Sequence, residues 1–202
     1  MMLTFEDIRY YIQKNDIKDK IGYNKPYIKC LGILNIENAE NHEKFSSIDY
    51  LMHREQEMRC RGGGLGKIIV TIKGPEKSFY EKGVFRVSIE FPNNYPDGRP
   101  EIKFLNKIAH IQFHEDSGHI CVEFINHWNK NTSLIEILVG LYLFFIYDQN
   151  MYSPYNSSYR EIYCKYEESK MKFKEFAEKY IDNYAKPSAA DLEVIRTMEQ
   201  DN

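Results

Sequence analysis

One cysteine in this 202-residue chain stands where a thiol could do chemistry. Cys121 belongs to the run Ser117-Gly118-His119-Ile120-Cys121-Val122-Glu123. A glycine permits a tight turn, and a short apolar strand after it would bring one thiol to a surface groove, where the thiolate is the reactive form. Acyl chemistry on such a thiol needs two more groups. One donates to the oxyanion of a tetrahedral intermediate, and the other orients or deprotonates the attacking amine.

Competing chemistries fit less well. His110, His114, His119, Cys121 and His127 fall within 18 residues, which invites a zinc reading. Zinc takes three or four such ligands, but neither a CxxC pair nor a helix-borne HxxxH frame is present, so no metal is expected. His114 and His119 read as parts of a solvated loop. The glycine run at 62–66 is not a phosphate loop. Its Gly66-Lys67 lacks the following Ser or Thr, and Arg61 stands where the first glycine is required, so it reads as a flexible joint. Cys60 lies between Arg59 and Arg61, whose charges favour a thiolate, yet it reads as an incidental residue at a helix end. Cys30 and Cys164 read as packing residues.

Composition narrows the classes further. A hydrophobic content of 43% supports a real core, and a net charge of −3 gives no basic field for nucleic acid or anionic membrane. Lys165, Lys170, Lys172, Lys174 and Lys179 alternate with glutamates as a solvated face, without interleaved stacking aromatics, so nucleic-acid binding is not expected. The longest apolar run, 134–147, is interrupted by Glu136 and Gly140 and is too short for a membrane span. Four scattered cysteines and no secretory leader point to a reducing compartment, cytoplasmic or nuclear.

The elements that must position Cys121 follow from spacing. Thr4 and Asp7 resemble a capping box, and Phe5, Ile8 and Ile12 follow at helical intervals, which predicts a helix over 4–19. A strand is expected over 27–34. Ser46 or Ser47 caps a helix carrying Ile48, Leu51, Met52 and Glu55. Strands are expected over 68–73, 84–91 and 101–105, followed by an irregular stretch over 106–130 that contains Cys121. Ser133 caps a helix with Leu134, Ile137, Leu138, Leu141 and Phe145 on one face. Helices over 157–167 and 169–185 carry a packed stripe of Tyr166, Phe173, Phe176, Tyr180 and Tyr184, with Trp128 as a core anchor. Residues 187–202 read as a polar tail with one weak helix. Helix, four-stranded antiparallel meander, then helices is an α+β plan.

Three further stretches carry a resemblance: Ile72-Lys73-Gly74-Pro75 with Tyr80-Glu81-Lys82-Gly83-Val84-Phe85, Phe91-Pro92-Asn93-Asn94-Tyr95-Pro96 with Pro100-Glu101-Ile102-Lys103-Phe104, and Trp128 ahead of Ser133-Leu134. In this order, around Gly-x-Ile-Cys, they resemble the core of the ubiquitin-conjugating enzymes. The likeness covers about 66–185. It implies the α+β ubiquitin-conjugating fold, with 1–65 as an N-terminal helix, strand and insertion and 186–202 as a tail. Either the 4–19 helix fills the family's first-helix position, making 36–66 an insertion, or the helix from Ser46 does, making 1–40 an extension.

The resemblance also implies a function. Cys121 would take ubiquitin or a ubiquitin-like modifier from an activating enzyme as a thioester and pass it to an amine or thiol, with no cofactor. The family's His-Pro-Asn triplet corresponds to His110-Ile111-Gln112, which makes Gln112 the oxyanion or loop-ordering amide. Its acceptor gate corresponds to 148–154, with Asn150 and Ser153 shaping it and Ser153 standing where the family has an acidic residue. The loop positions that ligases grip hold Asp97-Gly98 and Asn129-Lys130-Asn131. Tyr95-Pro96-Asp97-Gly98 and the longer spacing from His110 to Cys121 are similar to the Fused-toes group. Its members typically lack the cysteine and act as adaptors in vesicle-trafficking complexes with Hook proteins. On that alternative the chain is a scaffold, its partners meeting exposed apolar positions such as Ile48 or Leu51.

Overall fold

The computed structural model describes residues 3–61, 65–110, 112–114, 116–120, 123–146 and 169–201. Helix α1 (Phe5–Lys14) begins as its sequence requires. Thr4 accepts from the Asp7 N–H, and Asp7 answers at the Thr4 N–H. The expected helix over 4–19 is broken, however. Asp16 takes a left-handed φ of 49°, and the chain restarts as the short α2 (Ile17–Lys20). An aspartate tolerates that region better than most residues, so no glycine announces the break.

The strand expected over 27–34 is also displaced. Ile28 and Ile33 exchange backbone hydrogen bonds across a 3₁₀ turn at Lys29–Leu31, and strand β1 (Ile33–Asn38) starts only after it. Helix α3 (Ile48–Arg61) then intervenes, with the Ser47 hydroxyl accepting from the Tyr50 N–H. Strands β2 (Lys67–Lys73), β3 (Val84–Glu90) and β4 (Glu101–Phe104) complete a wholly antiparallel sheet in the order β1-β2-β3-β4. The expected meander is present, with a helix lodged in the connection between its first two strands.

Side chains alternate across that sheet. On the inner face Ile68, Val70 and Ile72 stand opposite Ile89, Val87 and Phe85. The short α4 (Glu123–Asn126) leads to α5 (Leu134–Ile146), which lies against this face with Phe85 and Phe145 rings 4.9 Å apart and Phe104 and Phe144 rings 5.3 Å apart. Helix α1 packs on α5 as well. Sandwiched in this way, α5 is buried from Leu134 to Leu141, Glu136 included, so its apolar residues surround the helix instead of marking one face. No helix among the described residues is long and apolar enough to cross a membrane.

Two helices close the chain. Helix α6 (Lys170–Tyr184), capped by Ser169, buries Phe173 and Ala177, while Tyr184 at the end of its expected packed stripe stays 44% exposed. Tyr166 and the helix expected over 157–167 lie outside the described residues. The one helix expected in the 187–202 tail is present as α7 (Ala189–Gln200), and it is docked on the protein. Its Ser188–Asp191 capping box sets its start and Met198 is buried beneath it.

Candidate functional site

The residues leading into position 121 are tied down by main-chain bonds. Phe104 N–H donates to the Gly118 carbonyl at 2.8 Å, and His114 N–H donates to the His119 carbonyl at 2.8 Å. Phe113 and Ile120 form a further antiparallel bridge. Gly118 is required here. Its φ is +72°, and a Cβ would lie 2.5 Å from the Phe104 carbonyl oxygen.

His119 is a partly exposed loop residue, as expected, and its Nε2 lies 3.0 Å from Glu101 Oε1, which Lys103 Nζ also reaches at 2.8 Å. These two partners hold the Glu101 carboxyl below the usual carboxylate range. An open groove of about 490 Å³ runs alongside, with Arg99, Glu101, His114 and His119 among its polar lining and Ile102 and Ile125 among its apolar lining. Its lining combines both charges with apolar side chains.

His110 anchors the stretch before this turn. It is buried, its ring stacked on Phe144 with centroids 3.8 Å apart. Nε2 lies 3.0 Å from the Phe144 carbonyl, and Nδ1 accepts from the Gln112 N–H at 3.1 Å. A ring that accepts at Nδ1 and faces a carbonyl at Nε2 is the neutral Nε2–H tautomer. Burial pushes its pKa down to about 3, against a smaller upward effect of the Phe144 carbonyl. Tyr80 completes the anchor by donating to the Ala109 carbonyl at 2.9 Å. This histidine is a peg between the segment and α5, and it presents the half-buried Gln112 through the main chain.

A second constellation went unrecognised in the sequence. Glu55 on α3 is buried, and its Oε1 accepts from Leu134 N–H at 2.9 Å, Arg59 Nε at 2.9 Å and Tyr95 hydroxyl at 3.0 Å. Arg59 adds bonds to the Lys130 carbonyl at 2.8 Å, the Tyr95 hydroxyl at 2.6 Å and the Thr132 carbonyl. Burial, then the Glu55 charge, pushes the Tyr95 phenol far up, so it remains a donor. One helix thereby clamps the 92–100 and 127–133 loops and supplies an acceptor at the N-terminus of α5. Trp128 braces the same junction, donating to the Pro96 carbonyl at 2.8 Å and packing on Phe5 and Tyr95. Lys130 lies 3.8 Å from Asp97 across the loop tips. The available signal was the spacing Ile48, Leu51, Met52, Glu55, which sets a carboxylate on an apolar stripe.

The same helix corrects an expectation. Ile48 and Leu51 are both 0% exposed, so neither offers an apolar contact to a partner. Their stripe faces inward. Of the sequence-predicted site residues, Gln112 alone is among those described. Cys121, Asn150 and Ser153 lie outside them, as does Cys164. Cys30 is half-buried against the core, and Cys60 is exposed with its sulfur 3.4 Å from Gln56 Nε2.

Comparison with known proteins follows the same line. The family model for ubiquitin-conjugating enzymes matches residues 42–181. Ubiquitin-conjugating enzyme E2 6 of Arabidopsis thaliana is 30% identical over 132 residues, 64% of this chain and 72% of the relative. Ubiquitin conjugating enzyme E2 B of Dictyostelium discoideum is 32% identical over 122 residues, 60% of this chain and 80% of the relative. Among solved structures, the E2 domain of a Toxoplasma gondii ubiquitin conjugating enzyme superposes with a TM-score of 0.56 at 19% identity, covering 86% of this chain and 99% of that one.

Proposed function

Because this chain belongs to the ubiquitin-conjugating enzyme family, we propose that Cys121 accepts ubiquitin or a ubiquitin-like modifier as a thioester and transfers it to an amine or a second thiol. The Cys121 thiolate attacks the activating enzyme's thioester carbonyl, a tetrahedral oxyanion forms, and the activating enzyme's thiolate leaves. Discharge repeats the exchange with the acceptor amine, which loses a proton as the amide forms. Gln112 is the amide that donates to the oxyanion or orders the loop, and Asn150 and Ser153 shape the acceptor's entry. The activating enzyme and a ligase are the protein partners, and the reaction takes place in the cytoplasm or nucleus.

The observation that supports this reading best is the fixing of Gly118–Ile120 against β4 and against Phe113 and His114, immediately ahead of Cys121. A nucleophile presented on a rigid element keeps its near-attack geometry. The adaptor alternative gains no support: the relatives named are conjugating enzymes, and Ile48 and Leu51 are buried. The test is incubation with activating enzyme, ATP and modifier, then a non-reducing gel. Wild type forms a reductant-sensitive adduct, Cys121→Ser a reductant-resistant ester or nothing, and Cys121→Ala no adduct. Equal charging of Cys121→Ala overturns the assignment.

A further inference from the structure

Strand β4 is an edge of the sheet, and the open groove of about 490 Å³ lies beside its first residues. One wall is the approach to β4 and its start, from Arg99 to Ile102. The other is built from His114, His119 and Ile120, with Ile125 of α4 closing it. Ile102, Ile120 and Ile125 are all buried and form a fixed apolar base. The groove reaches Ile120, so an occupant lies next to the position that the proposed transfer uses.

The charges along this groove do not balance. Glu101 is the one carboxylate in its lining among the described residues, and it is already engaged. Lys103 Nζ at 2.8 Å and His119 Nε2 at 3.0 Å share its Oε1. Arg99 is different. It is exposed, lines the groove and pairs with no carboxylate among the described residues. Arg9, Arg54, Arg59 and Arg86 are each held by one. A guanidinium presents its donors in a planar fork that fits a carboxylate through two parallel bonds. With Lys103 neutralising Glu101, Arg99 leaves the groove with an excess of positive charge.

We propose that this groove selects the acceptor, favouring a lysine that lies in an acidic stretch of the substrate protein. Arg99 takes a carboxylate beside that lysine, and the isoleucine base receives the apolar parts of the same segment. An extended chain advances about 3.3 Å per residue, so the residues a few positions from the acceptor lysine are those that lie in the groove. A basic flank would meet an unpaired guanidinium there, which disfavours it. Arg99 is thus a specificity-determining residue. The catalytic consequence rests on the thioester reading of Cys121, whereas the binding itself does not.

The probes are two short peptides, each with one central lysine, flanked by glutamates in one and by arginines in the other. Their binding to the full chain, with no thioester formed, is followed by backbone amide shifts in NMR. At low salt the glutamate peptide should bind about fivefold more tightly. It should shift the amides of Glu101, Ile102 and His119 and lose its advantage as salt is raised. Arg99→Glu should reverse the order of the two peptides, and Arg99→Lys should keep it. The second arm mixes thioester-charged protein with each peptide in single-turnover transfer. The glutamate peptide should reach its half-maximal rate at about a fifth of the concentration that the arginine peptide needs. A chain that never charges would overturn the thioester reading, and the binding arm would still judge the groove. Equal binding of the two peptides, an unchanged order in Arg99→Glu, or shifts confined to other surfaces would overturn the proposal. So would equal transfer to both peptides.

Discussion

The N–H of Gln112 donates to Nδ1 of His110 at 3.1 Å, and through that bond a buried histidine sets the course of a surface segment. The imidazole is fixed on its other side by the Phe144 carbonyl and by stacking on the Phe144 ring. Gln112 is therefore presented by a peg rooted in α5, and its side chain is not needed for that anchorage. The bond from Gln112 requires an unprotonated Nδ1, which links the geometry of the candidate site to pH.

Folded His110 stays neutral down to about pH 3, whereas its unperturbed pKa is 6.5. Between those values the unfolded state binds the extra proton, so this group's contribution to stability is complete above 6.5 and is lost as pH falls towards 3. At pH 5 the loss is about 2 kcal/mol relative to neutral pH. His110→Gln removes the titrating group, so its unfolding free energy should fall about 2 kcal/mol less than that of wild type between pH 7 and pH 5. Urea titrations at both pH values read this difference. Parallel slopes would mean that His110 protonates in the folded protein.

Gln112→Ala separates chemistry from folding. The main-chain bond to His110 survives the substitution, so stability should change by no more than about 0.5 kcal/mol. If the amide serves the oxyanion, single-turnover discharge onto free lysine should slow by roughly tenfold or more, since such donors contribute heavily to the transition state. Discharge at the wild-type rate would remove the amide from the mechanism and with it the correspondence of His110-Ile111-Gln112 to the family triplet.

Local signals carried the sequence reading far. Thr4, Ser169 and the residues alternating along β2 and β3 act through contacts a few positions away, and they form what their spacing predicts. The failures share a cause, which is that tertiary contact decided the outcome. Asp16 adopts a left-handed φ with no glycine to signal it, and the 27–34 segment gives half its length to a turn closed between Ile28 and Ile33. Ile48 and Leu51 looked available because nothing near them in sequence covers them. Helix α7 looked weak because its ion pairs reach residues more than a hundred positions away. At the candidate site, the Gly118 turn was legible, whereas the Glu101 partner of His119 and the peg role of His110 were not.

Glu55 supplies the last prediction. Its oxygen Oε1 serves the Leu134 N–H, Arg59 Nε and the Tyr95 hydroxyl, so removing it takes that acceptor from all three at once, and the Tyr95 hydroxyl is left with the Thr132 carbonyl at 3.5 Å. Arg59, with 18% of its side chain exposed, would be left without its carboxylate at the junction of two loops. Glu55→Ala should cost about 3–5 kcal/mol, the range for breaking one partner out of a buried ion pair. Glu55→Gln keeps an acceptor for the Leu134 N–H and Tyr95 but loses the charge, and should cost about half as much. Because the two residues form one network, Glu55→Ala with Arg59→Ala should cost less than the sum of the single changes. Urea denaturation measures these four variants beside wild type, and hydrogen exchange at the Leu134 amide reports the α5 terminus directly. Additive losses, or a Leu134 amide equally protected in Glu55→Ala, would show that α3 rests beside these loops without clamping them.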